Sequence, residues 1–223
     1  MSNRDEHQLT TTSYAILCLL AIQPWSMYAL AKQMRRDLHY VWPRAESNIY
    51  VEPKRLVEQG LARSETQSVG RRPRTIYTIT PEGRQVLKQW LRADSAPSRY
   101  ESETLLKILY GNYGTKDDLL ANLRRFAAEA ETAKQTELAF AQEYLQGEHK
   151  LPEPLHLNTL FLRLMLEQAE ARLRWAEWAS EQVESWPEVA TGDPDATLET
   201  LRSVLPATEP ETTPPLTPRR SRS

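Results

Sequence analysis

The spacing of apolar residues changes along residues 10–92 from a helical period to a strand period, and few folds are compatible with this order. In the first part, apolar residues recur at three- and four-residue steps, the period of an amphipathic α-helix. A first helix is predicted from the hydroxyl-rich segment Thr10–Ser13, whose side chains can accept from free helix-start amides, to about Ile22. A second helix is predicted over Met27–Leu38, after the capping residue Ser26.

A third helix, a hairpin and a fourth helix are predicted next. The third helix lies within "AESNIYVEPKRLVEQGLA" and ends at Gly60, a residue typical of helix C-termini. The period then changes to two in "LARSETQS" and "TIYTIT", which are separated by "VGRRPR", a turn carrying three arginines. The segment "TPEGRQVLKQWL" starts the fourth helix, with Thr80 as its cap and Pro81 at its first position. Elements in this order predict a winged helix-turn-helix domain.

Charge is distributed unevenly along the chain. Residues 1–92 contain 14 Lys and Arg against 8 Asp and Glu, whereas residues 93–190 contain 10 against 17. Residues 191–223 contain 4 against 5. A basic front half joined to an acidic back half indicates that the front half meets a polyanion, and we predict double-stranded DNA as the partner.

The third helix is predicted to read the DNA. With Ile49 as the angular origin, Pro53, Leu56 and Gly60 fall within about 40° of it, so this side is predicted to pack inward. The remaining surface offers an amide and a phenol for base edges or phosphates, a branched methyl for thymine, and cations for the backbone. These side chains are Ser47, Asn48, Tyr50, Val51, Lys54, Arg55 and Glu58.

Further DNA contacts are predicted from the hairpin and the second helix. The hairpin tip carries Arg71, Arg72 and Arg74, and Pro73 stiffens it, which lowers the entropy lost on docking. Such a tip suits a minor groove, where guanidinium groups meet an enhanced negative potential. Phosphate contacts are predicted for Lys32, Arg36 and Arg44.

Two motifs carry a resemblance to a known family. The stretch "SNIYVEPKRLVEQGLA", followed by "GRRPRTIYTITPEGR", resembles the DNA-binding domain of PadR-family bacterial transcriptional regulators over roughly residues 8–92. In that family the third helix carries an "IY…KRL…GL" pattern, and the wing and the following "TPEG" come in the same order. The second half is similar in outline to the helical C-terminal domain of the family's virulence-activator branch. The resemblance implies a transcriptional regulator, and we expect a homodimeric repressor.

The proline at position 53 departs from the commoner family pattern, which has leucine there. Proline inside a regular helix costs about 3 kcal/mol and disfavours helical geometry at the preceding residue, Glu52. Two interpretations stay open. In one, Ser47–Val51 form a loose or 3₁₀-like entry turn that aims Asn48 and Tyr50 differently from a straight helix. In the other, Pro53 only marks the first turn of the helix and does not affect recognition.

The second half is predicted to be almost continuous helix to about Trp186, with a capping box at Thr115 and Asp118. Its last helix, from about Leu155 to Val183, is apolar on two opposed faces and therefore needs two covers. Its own domain supplies one cover, and we predict that a second copy of the chain supplies the other. The alternative is a helix fully buried in its own bundle. The predicted dimerisation residues are Leu157, Leu160, Leu164, Trp175 and Trp178.

Trp175 and Trp178 admit a second interpretation. An aromatic pair can line a pocket for a flat hydrophobic compound, although ordinary packing is the commoner role of such residues. A small aromatic effector therefore remains a hypothesis alongside the dimer.

The predicted architecture is mainly α with a small β-hairpin. It comprises a DNA-binding domain over residues 1–92, a helical dimerisation domain over 93–188 and a largely disordered, Pro-rich tail over 189–223. The longest apolar run, "YAILCLLAI", has nine residues, against the roughly 20 needed to cross a bilayer. We expect no membrane segment and, because "MSNRDEH" lacks the features of a secretory signal and Cys18 is the single cysteine, a cytoplasmic protein.

The sequence offers little for catalysis. The four histidines are scattered, with no HExxH or CxxC spacing for a metal, and no GxGxxG loop is present for a phosphate. We therefore expect neither an enzyme nor a cofactor. A different class of function stays open, in which the wing and third helix dock an acidic protein surface instead of DNA.

Overall fold

The computed structural model describes residues 9–37, 42, 49–69, 72–147 and 154–205. The chain divides into two compact units. One unit comprises residues 1–99 with 149–155, and the other comprises residues 100–148 with 156–223.

Four helices form the frame of the first unit: α1 (Thr11–Ile22), α2 (Met27–Asp37), α3 (Glu52–Glu58) and α4 (Pro81–Trp90). The predicted caps are confirmed. Thr10 and Ser13 form a reciprocal capping box at the start of α1, and the Thr80 hydroxyl accepts from the Gly83 amide at 3.0 Å. Ser26 accepts from the Ala29 amide at 3.3 Å in the first turn of α2. The first, second and fourth helices are therefore fixed by local sequence, as predicted.

The predicted hairpin is part of a three-stranded antiparallel sheet. Its strands are β1 (Trp25–Ser26), β2 (Ala62–Val69) and β3 (Arg72–Ile79), in the order β1-β3-β2. The strand β1 pairs Trp25 with Tyr77 and Ser26 with Ile76. A two-residue strand is too short to show a period, so it was not predicted. The indole N–H of Trp25 donates to the Leu19 carbonyl at 2.8 Å, which fixes β1 to the end of α1.

One continuous core lies beneath the helices and the sheet of the first unit. It takes Ile16, Leu17 and Leu20 from α1 and Leu30 and Met34 from α2, all essentially inaccessible to solvent. Tyr14 of α1 also stacks on Trp90 of α4, with ring centroids 4.8 Å apart. This core fixes the orientation of the helices that carry the candidate site.

Gly83 allows α4 to approach the start of β2. A Cβ atom at this position would lie 2.1 Å from the Leu61 carbonyl oxygen, a distance that no side chain can occupy. At this close approach the Thr80 amide donates a hydrogen bond to the Leu61 carbonyl at 3.1 Å, and the Thr80 hydroxyl donates one to the Gly60 carbonyl at 2.8 Å. The end of α3 and the start of α4 are therefore bonded together.

The second unit is helical, and it is more interrupted than the sequence predicted. Its helices are α5 (Glu103–Leu109), α6 (Lys116–Leu145), α7 (Leu155–Ser185) and α8 (Pro194–Ser203), with a 3₁₀ turn over Gly111–Tyr113. The predicted capping box of Thr115 and Asp118 opens α6 and is confirmed. It explains the interruption, because a capping box starts a new helix instead of continuing the one before it. The helix α8 lies within the segment predicted to be largely disordered, and residues 206–223 lie outside the described part of the chain.

Leu119 and Leu123 of α6 pack with Ala179 and Val183 of α7 in a small core. Lys116 strengthens this junction, because its Nζ donates to the backbone carbonyls of Glu184 and Trp186 at 2.6 and 2.8 Å. The end of α7 is therefore tied to the start of α6.

Candidate nucleic-acid interface

The third helix begins later than its apolar pattern predicts. Ile49–Val51 form a turn, and α3 starts at Glu52, so that Pro53 is its second residue. The amides of the first helical turn have no partner within the helix, and a proline there removes no hydrogen bond. The placement of Tyr50 and Val51 on a regular helix is therefore wrong: they lie on the entry turn. Pro53 marks the first turn, and its effect on recognition stays a prediction.

The inward side of this segment agrees with the prediction at three positions. Ile49, Pro53 and Leu56 are fully buried. Gly60 is exposed and has a φ of +72°, a conformation that favours glycine. Its predicted inward position is therefore wrong, because the helix has already ended there.

Glu52 is a buried carboxylate that the sequence analysis did not single out. Its side chain accepts a hydrogen bond of 2.7 Å from the Ser13 hydroxyl of α1, and Arg55 lies 3.5 Å from its other oxygen. A buried charge needs such partners. Ser13 and Glu52 therefore fix the first residue of α3 against α1, and Arg55 is partly engaged inside the protein.

Three side chains near the start of α3 face solvent. Tyr50 and Val51 are 54% and 60% exposed, although both are large and apolar in part. Lys54 is also exposed. An exposed phenol, a branched aliphatic group and an ammonium group on one short segment are suited to base edges, a thymine methyl and a phosphate.

The wing is longer and more regular than predicted. The strand β3 begins at Arg72, and Val69 pairs with Arg72, so the arginine segment belongs largely to the ladder and not to a six-residue turn. Pro73 pairs with Ser68 on a part of β3 where β1 does not reach, an edge position that tolerates a missing N–H. The Arg74 side chain is exposed. Arg71 lies outside the described residues, and only the backbone of Arg72 is described.

The second helix presents its cations at its C-terminal half. Lys32 is exposed and Arg36 is half-buried. Arg35, which was not predicted as a contact, is exposed in the last turn beside them. The remaining predicted contacts, Arg44, Ser47 and Asn48, lie outside the described residues.

The predicted dimerisation residues form an exposed apolar face on α7. The exposed fractions are 54%, 70% and 49% for Leu157, Leu160 and Leu164, and 37% and 42% for Trp175 and Trp178. On the other side of the helix, Ala169, Ala176, Ala179 and Val183 are buried. The two tryptophans are in addition engaged within their own unit, where Trp175 makes an edge-to-face contact with Phe126 at 5.3 Å.

In the part of the chain that the structure describes, no cluster of three or more His, Cys, Asp and Glu could hold a metal ion. No helix among those residues is both long and apolar enough to span a bilayer.

The sheet-backed helices and the exposed cationic wing define a winged helix-turn-helix protein of the DNA-binding type. Residues 16–89 match the model of the transcriptional regulator PadR-like family, and residues 101–184 match that of the virulence activator alpha C-terminal domain. The chain belongs to the PadR-like family of transcriptional regulators, whose members bind DNA. The resemblance predicted from the two motifs is therefore confirmed.

Relatives and solved structures agree with this assignment. The chain is 27% identical over 172 residues to the negative transcriptional regulator PadR of Bacillus subtilis (strain 168), covering 74% of this chain and 92% of the relative. It also resembles the crystal structure of Bacillus subtilis PadR in complex with operator DNA, with a TM-score of 0.65, 23% identity and coverage of 78% of this chain and 99% of the other. For Bacillus subtilis PadR in complex with p-coumaric acid, the TM-score is 0.62, the identity 22% and the coverage 79% and 100%. At these identities the structural likeness shows the fold.

Proposed function

We propose that this protein is a homodimeric repressor that binds operator DNA in a sequence-specific way and responds to a small aromatic effector. The observation that carries the DNA-binding part is the arrangement of α3, with Ile49, Pro53 and Leu56 buried beneath an exposed Tyr50 and Lys54. The repressor role is supported by the relative from Bacillus subtilis, which is a negative transcriptional regulator.

In the proposed complex, α3 and its entry turn lie in the major groove. Tyr50 and Val51 contact base edges, and Lys54 contacts phosphate. Lys32 and Arg36 of α2 add contacts that position the protein without reading sequence. Arg71, Arg72 and Arg74 of the wing follow the backbone into the adjacent minor groove. Arg44, Ser47, Asn48 and Arg55 complete the predicted contact set.

The homodimer is supported by the apolar face of α7. Leu157, Leu160 and Leu164 leave about half or more of their side chains exposed on a 31-residue helix whose buried residues all lie C-terminal to them. Contiguous exposed leucines of this kind mark interaction surfaces in soluble proteins. A second copy offers the same leucines, and two such helices can cover each other about a two-fold axis.

Dimer symmetry predicts the form of the operator. Two winged helices related by a two-fold axis require an inverted repeat, with half-sites about one helical turn, roughly 10 bp, apart or at a multiple of it. If eight to ten phosphates are neutralised per dimer, the log–log dependence of affinity on salt has a slope of about −7 to −9.

The effector is supported by a relative and by a cavity. Bacillus subtilis PadR has been crystallised in complex with p-coumaric acid, an aromatic compound. In this chain, Trp175 and Trp178 line a cavity of the second unit, consistent with the pocket interpretation of these residues. We propose that binding of an aromatic compound changes the affinity for DNA.

Selection of bound fragments from a random duplex library tests the DNA-binding proposal. We expect an enriched inverted repeat and a gel shift of that duplex whose affinity falls steeply with salt. A flat salt response, or the absence of any shift at low ionic strength, would contradict the proposal. If the chain bound acidic proteins but no duplex, the winged helix would be a protein-interaction module.

A further inference from the structure

The cavity beside Trp175 and Trp178 lies within the second unit and has a volume of about 400 Å³. Its volume falls in the range of small-molecule sites. Its walls come from α5 and the 3₁₀ turn, from α6, from the C-terminal half of α7 and from α8. The four elements converge on it near the end of α7.

Indole rings supply much of the wall. Trp175, Trp178 and Trp186 all line the cavity, beside the buried leucines Leu119 and Leu123. The edge-to-face contact with Phe126 limits how Trp175 can turn. Flat indole faces favour a flat aromatic ligand, because offset stacking and edge contacts add to the apolar area buried.

A glycine turn brings α8 back over the cavity. Gly192 has a φ of +59°, and a Cβ at this position would lie 3.8 Å from the Trp186 ring, so the turn lies close to the indole. Asp193 then caps α8 by accepting from the Ala196 amide at 3.1 Å. The helix places Ala196, Thr197, Thr200 and Leu201 on the cavity, which are four positions of one helix face.

The polar groups of the wall define the ligand further. The Thr197 and Thr200 hydroxyls already donate to backbone carbonyls of their own segment, at 2.6 and 2.9 Å, so toward a ligand each oxygen accepts. Asn112 and Gln182 add amides. The lining residues include no Lys, Arg, His, Asp or Glu. An ionised ligand would therefore lose hydration without a counter-charge.

The helix α8 buries little of its surface against the rest of the second unit. None of its residues is buried, and Leu201, which lines the cavity, is 56% exposed. The segment also lies beyond residues 101–184, the part that matches the C-terminal domain model. A ligand that fills the cavity would give the inner face of α8 an apolar surface to pack against.

We propose that this cavity binds an uncharged, flat aromatic compound carrying at least one N–H or O–H donor, and that α8 closes over it. The proposal deepens the effector part of the proposed function and rests on it for any consequence at the operator. It also separates the two halves of the α7 apolar face: the leucines near the N-terminus face the second copy, and the tryptophans face the ligand.

A matched pair of fluorescent probes tests the ligand class. N-phenyl-1-naphthylamine is an uncharged aromatic amine with one N–H donor, whereas 8-anilinonaphthalene-1-sulfonate has the same ring system with an added sulfonate. With the full chain and no DNA, we expect one uncharged probe per chain, excited by energy transfer from tryptophan. The sulfonate should bind more weakly by about tenfold or more, because its charge finds no partner.

Two variants locate the site. Thr200→Val removes the accepting oxygen with little change of side-chain shape and should lower the affinity for the uncharged probe by about three- to tenfold. Thr136→Val, on α6 and away from the cavity, is the control and should leave that affinity unchanged. Ala196→Trp should fill the cavity and abolish binding while the far-ultraviolet circular dichroism stays unchanged.

Several outcomes would overturn the proposal: equal affinity for the two probes, no effect of Thr200→Val and Ala196→Trp, or probe binding that disappears as the chain dimerises. The last result would mean that a second copy fills the cavity. Because the titration contains no DNA, its failure leaves operator binding intact, and failure of operator binding leaves the probe result intact.

Discussion

The Ser13 hydroxyl of α1 donates a 2.7 Å hydrogen bond to the buried carboxylate of Glu52, the first residue of α3. Thirty-nine positions separate the two residues in the sequence. The bond fixes the start of α3 next to Pro53, a proline that disfavours helical geometry at the residue before it. The position of α3 and its entry turn therefore depends on an internal polar contact as well as on apolar packing.

Replacing Ser13 by alanine should destabilise the folded chain. Ser13→Ala leaves the Glu52 carboxylate with the ion pair to Arg55 and also removes the acceptor of the Thr10 amide in the capping box of α1. Loss of a buried hydrogen bond to a charged group costs about 1.5–3 kcal/mol, and loss of the capping bond adds about 1 kcal/mol. Urea unfolding measures the effect. Thr132→Ala is the control, because its hydroxyl also donates to a backbone carbonyl but lies on an exposed helix face, so a change within about 0.5 kcal/mol is expected. Equal losses in the two variants would contradict this role for Glu52.

The entry turn and Pro53 should differ in their effects on operator choice. Tyr50→Ala removes an exposed side chain from the proposed groove surface and should change the bases preferred at one position of each half-site. Pro53→Ala alters a buried residue of the first helical turn, where no backbone hydrogen bond is regained, so it should lower stability and leave the preference unchanged. Selection from one duplex library with both variants decides between the two interpretations of Pro53. A changed preference in Pro53→Ala would show that the proline shapes recognition.

The wing should contribute affinity without sequence preference. Arg74→Ala removes an exposed cation of β3 from each subunit and should weaken binding to all duplexes, with the salt slope of the dimer reduced in magnitude by about 2. Arg202→Ala, in α8, removes a cation outside the proposed interface and is the control. Gel shifts over a salt series measure both slopes. Identical slopes for Arg74→Ala and the parent would remove the wing from the interface.

Glu137 should make stability depend on pH. Burial raises the pKa of this carboxyl above its ordinary value of 4.5, so between the two values the folded chain holds a proton that the unfolded chain has released. The group therefore lowers stability progressively as pH rises through its folded pKa, and its penalty is absent below 4.5.

Thermal unfolding of Glu137→Gln tests this dependence. The variant should melt above the parent at neutral pH, and the difference should disappear as pH falls below 4.5. Glu131→Gln, on the exposed part of the same helix, should show no such convergence. A Glu137→Gln variant that melts below the parent at neutral pH would mean that the carboxylate has a stabilising partner.

Secondary structure could be predicted from the sequence where a local signal, such as a capping residue, determines it. The helices α1, α2 and α4 have caps at Thr10, Ser26 and Thr80 and a clear apolar period, so their starts could be predicted. The strand β3 extends to Arg72 through residues of low strand propensity, because pairing with β2 outweighs propensity there.

The rest of the candidate site depends on contacts between distant residues. A glutamate is almost never predicted to be buried, and Glu52 is buried because Ser13 lies opposite it. The cavity beside Trp178 forms only because α8 packs near the end of α7. The apolar period within α8 does not show where that helix packs. Sequence patterns therefore predicted the buried side of α3 and raised a pocket at Trp175 and Trp178 as one interpretation, but they did not reveal the Ser13–Glu52 contact or the part that α8 takes in the cavity.

The apolar face of α7 should control both assembly and DNA binding. Leu160→Lys places a charge on the proposed dimer surface and should give a monomer with much weaker operator affinity, because two half-sites are no longer held together. Leu145→Lys, at an even more exposed leucine at the end of α6, should remain a dimer. A dimeric Leu160→Lys variant would place the interface elsewhere.

Sedimentation velocity of the full chain, alone and with its selected duplex at low ionic strength, measures the central claim most directly. The proposal predicts a dimer in free solution and a complex of two chains on one duplex. Monomers whose sedimentation does not change when duplex is added would contradict it.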